Sequence, residues 1–182
     1  GEVITTNKTA VPTLDCLFSN SNTTKKPFKI FSLNTYNGVV GAFSFGKDEE
    51  VTVKAADIVD LPGNMYAVYS FKSQNTYCVK FDEEINIHLS DKDFELITFA
   101  PIHNNFAVIG ITDKLNSGGT IDNIYYTDHS IKIKLNTGGQ LLAYSNCDVK
   151  YINVDGIKTK FKISDGFIKI MIPKNGANVQ IY

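Results

Sequence analysis

Three histidines, two runs of carboxylates, three cysteines and a glycine-rich stretch are the residues here whose types could do chemistry. The stretch LNTYNGVVGAFSFGKDEE, residues 33–50, places Gly38 and Gly41 after an apolar run, as a phosphate-cradling loop would. Such a loop feeds directly into a helix whose first amides hold the anion. Here no Lys-Ser/Thr pair follows, and Ala42, Phe43, Ser44 and Phe45 read as more strand. Asn37-Gly38 between two apolar runs is instead a hairpin signal, because both residues tolerate positive φ. On this reading the glycines serve a turn and close packing, and no nucleotide is held.

His88, His103 and His129 stand far apart, each beside a strand end. Metal sites show local pairing such as H-x-H, so these read as surface or structural histidines. The residues imply neither a metal nor a cofactor. Asp48-Glu49-Glu50 and Asp82-Glu83-Glu84 lie at apparent turns. Glycoside chemistry needs two carboxylates at a fixed separation in a cleft, whereas a turn cluster reads as a solvated cap on a sheet edge. No G-x-S-x-G marks a nucleophile. Cys16, Cys78 and Cys147 are scattered without a C-x-x-C, which predicts buried reduced thiols in a cytoplasmic protein. The Gly-Gly pairs of KLNSGGTI and LNTGGQLL read as turns.

The chain has 182 residues, 43% of them hydrophobic, enough for one domain with a substantial core. Lys+Arg 18 against Asp+Glu 19 leaves a net charge of -1, so no field gathers nucleic acid or anionic membrane. No apolar run approaches the ~18 residues of a membrane span. The first residue is Gly1 rather than methionine, which suggests a fragment or processed product.

These residues must be positioned by strands. Apolar runs, alternating or continuous, recur every ~8–12 residues from Phe28 to Tyr182, with Gly, Asn, Asp and Pro between them. Only KAADIVDL, residues 54–61, suits a helical turn or two. The pattern predicts an all-β fold, a two-sheet antiparallel β-sandwich with Greek-key or meander connections. Asp165-Gly166 predicts a two-residue I′ turn that sets Ile163 opposite Ile168 and Phe161 opposite Ile170, all four toward the core. Lys162 then faces Lys169 on the wet side, and Asp155-Gly156 repeats the device. Residues 1–25, rich in Thr and Asn, form a lead-in, the possible tail of a preceding domain, and residues 26–182 form the sandwich.

Four motifs in order give a resemblance. PTLDCLF (12–18), FKIFSLNTYNGVVGAFSF (28–45), VKAADIVDL (53–61) and ELITFAPIHNNFAVIGITDKLNSGGTI (95–121) resemble the C-terminal region of glycoside hydrolase family 36, the raffinose synthases and related α-galactosidases. Leu14 departs from that pattern, which carries arginine there. The resemblance implies a catalytic (β/α)₈ barrel upstream, with this chain as its accessory sandwich. It also implies catalytic aspartates that lie on the barrel and have no counterpart here. PTLDCLF becomes the barrel's exit, and Asp15 the residue placed near a sugar site, with a junction hydrogen bond as its other role. The implied partners are the barrel of the same polypeptide and, through it, an α-galactoside, with homo-oligomerisation left open. No nucleic acid and no membrane enter as partners.

The competing reading is a free-standing module that binds carbohydrate or protein. It requires exposed aromatics on one face, for which Tyr36, Tyr66, Tyr69, Tyr125 and Tyr126 are the candidates. The accessory reading instead requires an exposed apolar patch, from Val11, Leu14, Leu17 and Phe18.

Overall fold

Alternation of apolar and polar residues decides how many faces of each strand are covered. The computed structural model describes residues 4–17, 27–46, 48–127 and 130–182. A six-stranded sheet runs in the spatial order β1 (Val11–Pro12), β2 (Phe28–Leu33), β3 (Gly38–Phe43), β8 (Phe94–Pro101), β5 (Met65–Ser70), β6 (Thr76–Lys80). One face of it is covered by the pair β4 (Glu49–Val53) and β7 (Ile85–Leu89). A four-stranded sheet has the order β15 (Lys162–Ser164), β16 (Phe167–Ile172), β12 (Gly139–Ser145), β9 (Phe106–Ile111). It packs on a five-stranded sheet ordered β10 (Ile121–Tyr126), β11 (Ile131–Leu135), β17 (Ala177–Ile181), β13 (Ile152–Val154), β14 (Ile157–Thr159). The pairings within each sheet are antiparallel.

The all-β antiparallel sandwich read from the sequence is present, and the strands of the described residues divide over four sheets. Among these residues three buried clusters separate four layers. Val51, Val53 and Ile85 meet Phe31, Val40 and Phe99 in the first, and Ile131, Ile133 and Val179 meet Leu141, Ile168 and Ile170 in the third. Between them Ala67, Tyr69 and Ala100 of the six-stranded sheet pack on Ala107, Ile109 and Leu142 of the four-stranded one. Two sandwiches thus stand back to back. That explains the two kinds of apolar run. FAVIGI of β9 is buried at all six positions because sheets cover both its faces, whereas IKIKL of β11 alternates because water covers one. Alanines at the middle interface let the two sheets approach closely.

The hairpins follow local chemistry. Asp155 and Gly156 have φ of 48° and 81°, and Asp165 and Gly166 have 51° and 80°, the positive pair that a I′ turn requires. Ile163 faces Ile168 and Lys162 faces Lys169 in the predicted register. Ile168 and Ile170 are buried, but Ile163 is 50% exposed, contrary to expectation. The cause is its place on β15, an edge strand that no second strand flanks. The run 157–163 is two strands rather than one, β14 in the five-stranded sheet and β15 in the four-stranded one. It carries the chain from one layer to the next.

The hairpin expected around Asn37-Gly38 is also present, between β2 and β3, with a different turn. Leu33 pairs with Gly38, so the loop is Asn34 to Asn37, closed by Asn34 N–H donating to the Asn37 carbonyl at 2.8 Å. Gly38 opens β3 and serves packing, since a Cβ there would lie 2.8 Å from Ile58 Cδ1. Segment 54–61 holds a single 3-10 turn, Ala55–Asp57. Asp48-Glu49-Glu50 is a solvated cluster only in part: Asp48 and Glu50 are exposed, but Glu49 begins β4, is buried, and its Oε1 has no hydrogen-bond partner among the described residues. Of the cysteines Cys16 is buried as expected, whereas Cys78 and Cys147 are exposed, and none forms a disulfide. No helix among the described residues is long and apolar enough to cross a membrane.

Candidate functional site

Lys29 sits inside an apolar strand, on the same face as Phe31 and Leu33, so its ammonium must find partners within the protein. It has three. Its Nζ lies 2.9 Å from Asp15 Oδ2, 2.9 Å from Asp57 Oδ2 and 3.0 Å from the Thr52 carbonyl. Those three acceptors match the three donors of an ammonium group. The 3-10 turn places Asp57, whose Oδ2 also accepts the Lys54 N–H at 3.2 Å. Thr13 Oγ1 donates to Asp15 Oδ1 at 2.6 Å.

The ionisation of Asp15 and of Lys29 reflects the cluster. Partial burial opposes the charge on Asp15, but the Thr13 hydroxyl and the Lys29 ammonium outweigh it and hold the carboxyl below its ordinary value. Burial likewise opposes the charge on Lys29, and Asp15 and Asp57 outweigh it, so the ammonium is held above the ordinary lysine value. A general acid for glycoside cleavage needs the opposite shift, a carboxyl pushed up toward neutrality. The arrangement is a structural clamp. It joins PTLDCLF, β2 and the turn of KAADIVDL, three of the four motifs noted in the sequence.

The clamp fixes the back of a tight turn. Cys16 N–H and Leu17 N–H both donate to the Thr13 carbonyl at 2.9 Å, and Thr13 N–H donates to the Lys29 carbonyl at 3.1 Å. Cys16 points inward, its Sγ accepting the Lys29 N–H at 3.3 Å. Leu14 and Leu17 are therefore turned outward, 70% and 53% exposed, beside Val11 at 44%. Three of the four expected patch residues are on the surface together with Asp15, whose side chain is more than half exposed. Phe18 lies outside the described residues.

The fourth motif builds a different knot. Asn34 and Asn116 exchange amide hydrogen bonds at 2.9 and 3.0 Å, Asn34 Nδ2 donates to Asn37 Oδ1 at 2.9 Å, and Asn37 Nδ2 reaches the carbonyls of Val108 and Ile109. Gly118 lies against it: a Cβ there would fall 1.9 Å from Asn37 Oδ1 and 2.6 Å from Asn34 Nδ2. Thus NSGG forms a turn as read, and its first glycine leaves room for buried amides that tie the two sandwiches together.

Beside the knot opens a cleft of about 560 Å³, bordered by Lys8, Tyr36, Asp60, His103 and Tyr126. Burial, with Tyr36 nearby, pushes the Tyr126 phenol up to about 12. His103 meets the Tyr126 ring edge-on at 4.8 Å, and His88 Nδ1 lies 3.0 Å from Glu50 Oε1. His129 lies outside the described residues. No three His, Cys, Asp or Glu side chains among the described residues are grouped to hold a metal ion. Of the tyrosines proposed as an exposed row, Tyr66 and Tyr69 are buried, filling the faces of β5. Tyr36 and Tyr126 are partly buried against the third core, and Tyr125 is 61% exposed.

Sequence reasoning missed Lys29, Asp57 and the asparagine knot, although a lysine within FKIFSL was a legible sign of a buried charge needing a carboxylate. A family model described as raffinose synthase or seed imbibition protein Sip1 matches residues 1–48 and 45–172. A galactinol–sucrose galactosyltransferase of Oryza sativa subsp. japonica is 25% identical over 100% of this chain and 28% of its own length. The Pisum sativum protein of the same name is 26% identical, over 94% of this chain and 26% of its own. A stachyose synthase of Pisum sativum is 29% identical, over 90% of this chain and 23% of its own. The chain spans about a quarter of the length of these curated relatives.

Proposed function

The chain belongs to the raffinose synthase or seed imbibition protein Sip1 family, and from that premise we propose that it is a non-catalytic accessory sandwich of a larger α-galactosidase-type enzyme. It seats against a catalytic barrel of the same polypeptide, which holds the α-galactoside. The observation that carries this reading is the turn of PTLDCLF. Its inner side is clamped by Lys29, while Leu14 and Leu17 are held outward on a rigid base. Exposed leucines fixed this way suit an interdomain contact, which buries roughly 600–1,500 Å². The curated relatives, about four times longer, supply room for a barrel.

Asp15 keeps its two roles in this reading. Its junction role is supported by the bonds from Thr13 and Lys29, and its half-exposed carboxylate stays available beside a sugar site of the barrel. A reducing, cytoplasmic setting fits the exposed thiols of Cys78 and Cys147.

The test is an activity assay with an aryl α-galactoside on the purified chain and on the intact parent polypeptide. The parent turns the substrate over and the chain does not. Turnover by the 182-residue chain, abolished by a point substitution within it, would overturn the proposal.

A further inference from the structure

The outer face of the five-stranded sheet carries chemistry that the accessory role does not use. Its inner side chains, Ile124, Ile133, Val179 and Val154, are buried, so their neighbours in sequence form a face of their own. Pairing aligns them in rows. Tyr125 lies opposite Lys132, Lys132 opposite Gln180, and Gln180 opposite Asn153. One step along, Lys134 lies opposite Asn178, and Asn123 pairs with Lys134 through the register shift of β10. Strands stand about 4.8 Å apart, so four residues of a row cross about 14 Å. The face is dished into a depression of about 400 Å³, with Gly156 at its rim. Small-molecule sites occupy roughly 300–1,000 Å³.

We propose that this face binds an oligosaccharide, with Tyr125 stacking on one pyranose ring and Lys132, Asn153, Asn178 and Gln180 bonding hydroxyls along the chain. The tyrosine is held ready: Tyr36 Oη donates to Asn123 Oδ1 at 2.7 Å, which turns the amide so that Asn123 Nδ2 donates to Tyr125 Oη at 2.8 Å. Carboxamides both donate and accept, as the hydroxyls of a neutral sugar require. A polyanion would call for an unbroken row of cations. Here amides interrupt the lysines, Asp122 lies 3.9 Å from Lys134, and Asp155 bonds the Asn178 backbone within the same surface. The proposal concerns a second surface, away from any catalytic centre. Its failure leaves the accessory reading standing, because the test needs only the chain itself.

The experiment is an amide chemical-shift titration of the 182-residue chain with raffinose and, separately, with maltotriose. Saturable shifts at the backbone amides of Tyr125, Lys132, Asn153 and Gln180 with at least one sugar support the proposal. Tyr125→Ala then lowers the affinity about tenfold or more, as loss of an aromatic anchor does. Tyr125→Phe, which keeps the ring, retains most of the affinity. An unchanged amide spectrum elsewhere shows that each variant is folded. Absence of shifts with both sugars overturns the proposal, as do shifts confined to another face. Salt-sensitive binding of DNA at these residues, without sugar binding, would also overturn it.

Discussion

Lys29 Nζ lies 2.9 Å from Asp57 Oδ2 across 28 residues of sequence, with both side chains about nine-tenths buried. Removing one partner of a buried ion pair leaves the other charge without solvent or counter-ion, at about 3–5 kcal/mol. Lys29→Met should therefore cost the chain about that much, read from its urea midpoint. Adding Asp57→Asn to the same variant should recover part of the loss. If the double variant is as unstable as the sum of the singles, the pair is not coupled.

A pH dependence follows from the same cluster. The folded carboxyl of Asp15 sits below its unfolded value of 3.8, so its contribution is fully present above that value. It is lost as pH falls through the lower folded value. Lys29 runs the other way: its folded value lies above 10.5, so its stabilisation is present below 10.5 and lost as pH rises through the folded value. Wild type should therefore be more stable than Asp15→Asn at neutral pH, and the gap should close below about pH 4. A gap that widens on acidification would contradict the clamp.

How far these features could be read from sequence depended on how local their causes were. The bounds of β7, β9 and β16 follow from apolar runs, and the Asp-Gly turns fix the registers of the β13–β14 and β15–β16 hairpins through backbone preferences of two residues. Asn37-Gly38 has the local chemistry of a two-residue turn, but Asn37 is drawn inward to the carbonyls of β9, some seventy residues on. The four layers were hidden for a related reason: a run such as FAVIGI states that both faces are covered, not by which sheets. At the site, PTLDCLF was visible as a motif and Asp15 as its carboxylate. Its partners Lys29 and Asp57 come from other strands and turns, and only the fold brings them together.

The asparagine knot makes a steric prediction. Gly118→Ala would drive a methyl group into the Asn34 and Asn37 amides, which cannot recede without breaking bonds to Asn116 and β9. Overpacking of this kind costs about 1–3 kcal/mol. Gly156→Asn is the control, because nothing lies within 4 Å of its added Cβ and asparagine tolerates the φ of 81°. Thermal unfolding should show a clear loss for the first and a small one for the second. Equal losses would mean that the knot yields easily and does not join the sandwiches.

The outward leucines separate the two readings of the chain. Leu14 and Leu17 are 70% and 53% exposed, so replacing both by serine removes little buried area from the sandwich itself. The unfolding free energy of the isolated chain should change by less than about 0.5 kcal/mol per site, as for ordinary surface positions. Its self-association, measured by sedimentation velocity at rising concentration, should fall, because the apolar patch that drives it is gone. In the parent polypeptide the same pair should lower the thermal midpoint, since there the leucines would be covered by the barrel. A free-standing module predicts no difference between the two settings. An unchanged midpoint in the parent would therefore remove the junction and leave the sheet face around Tyr125 as the functional surface.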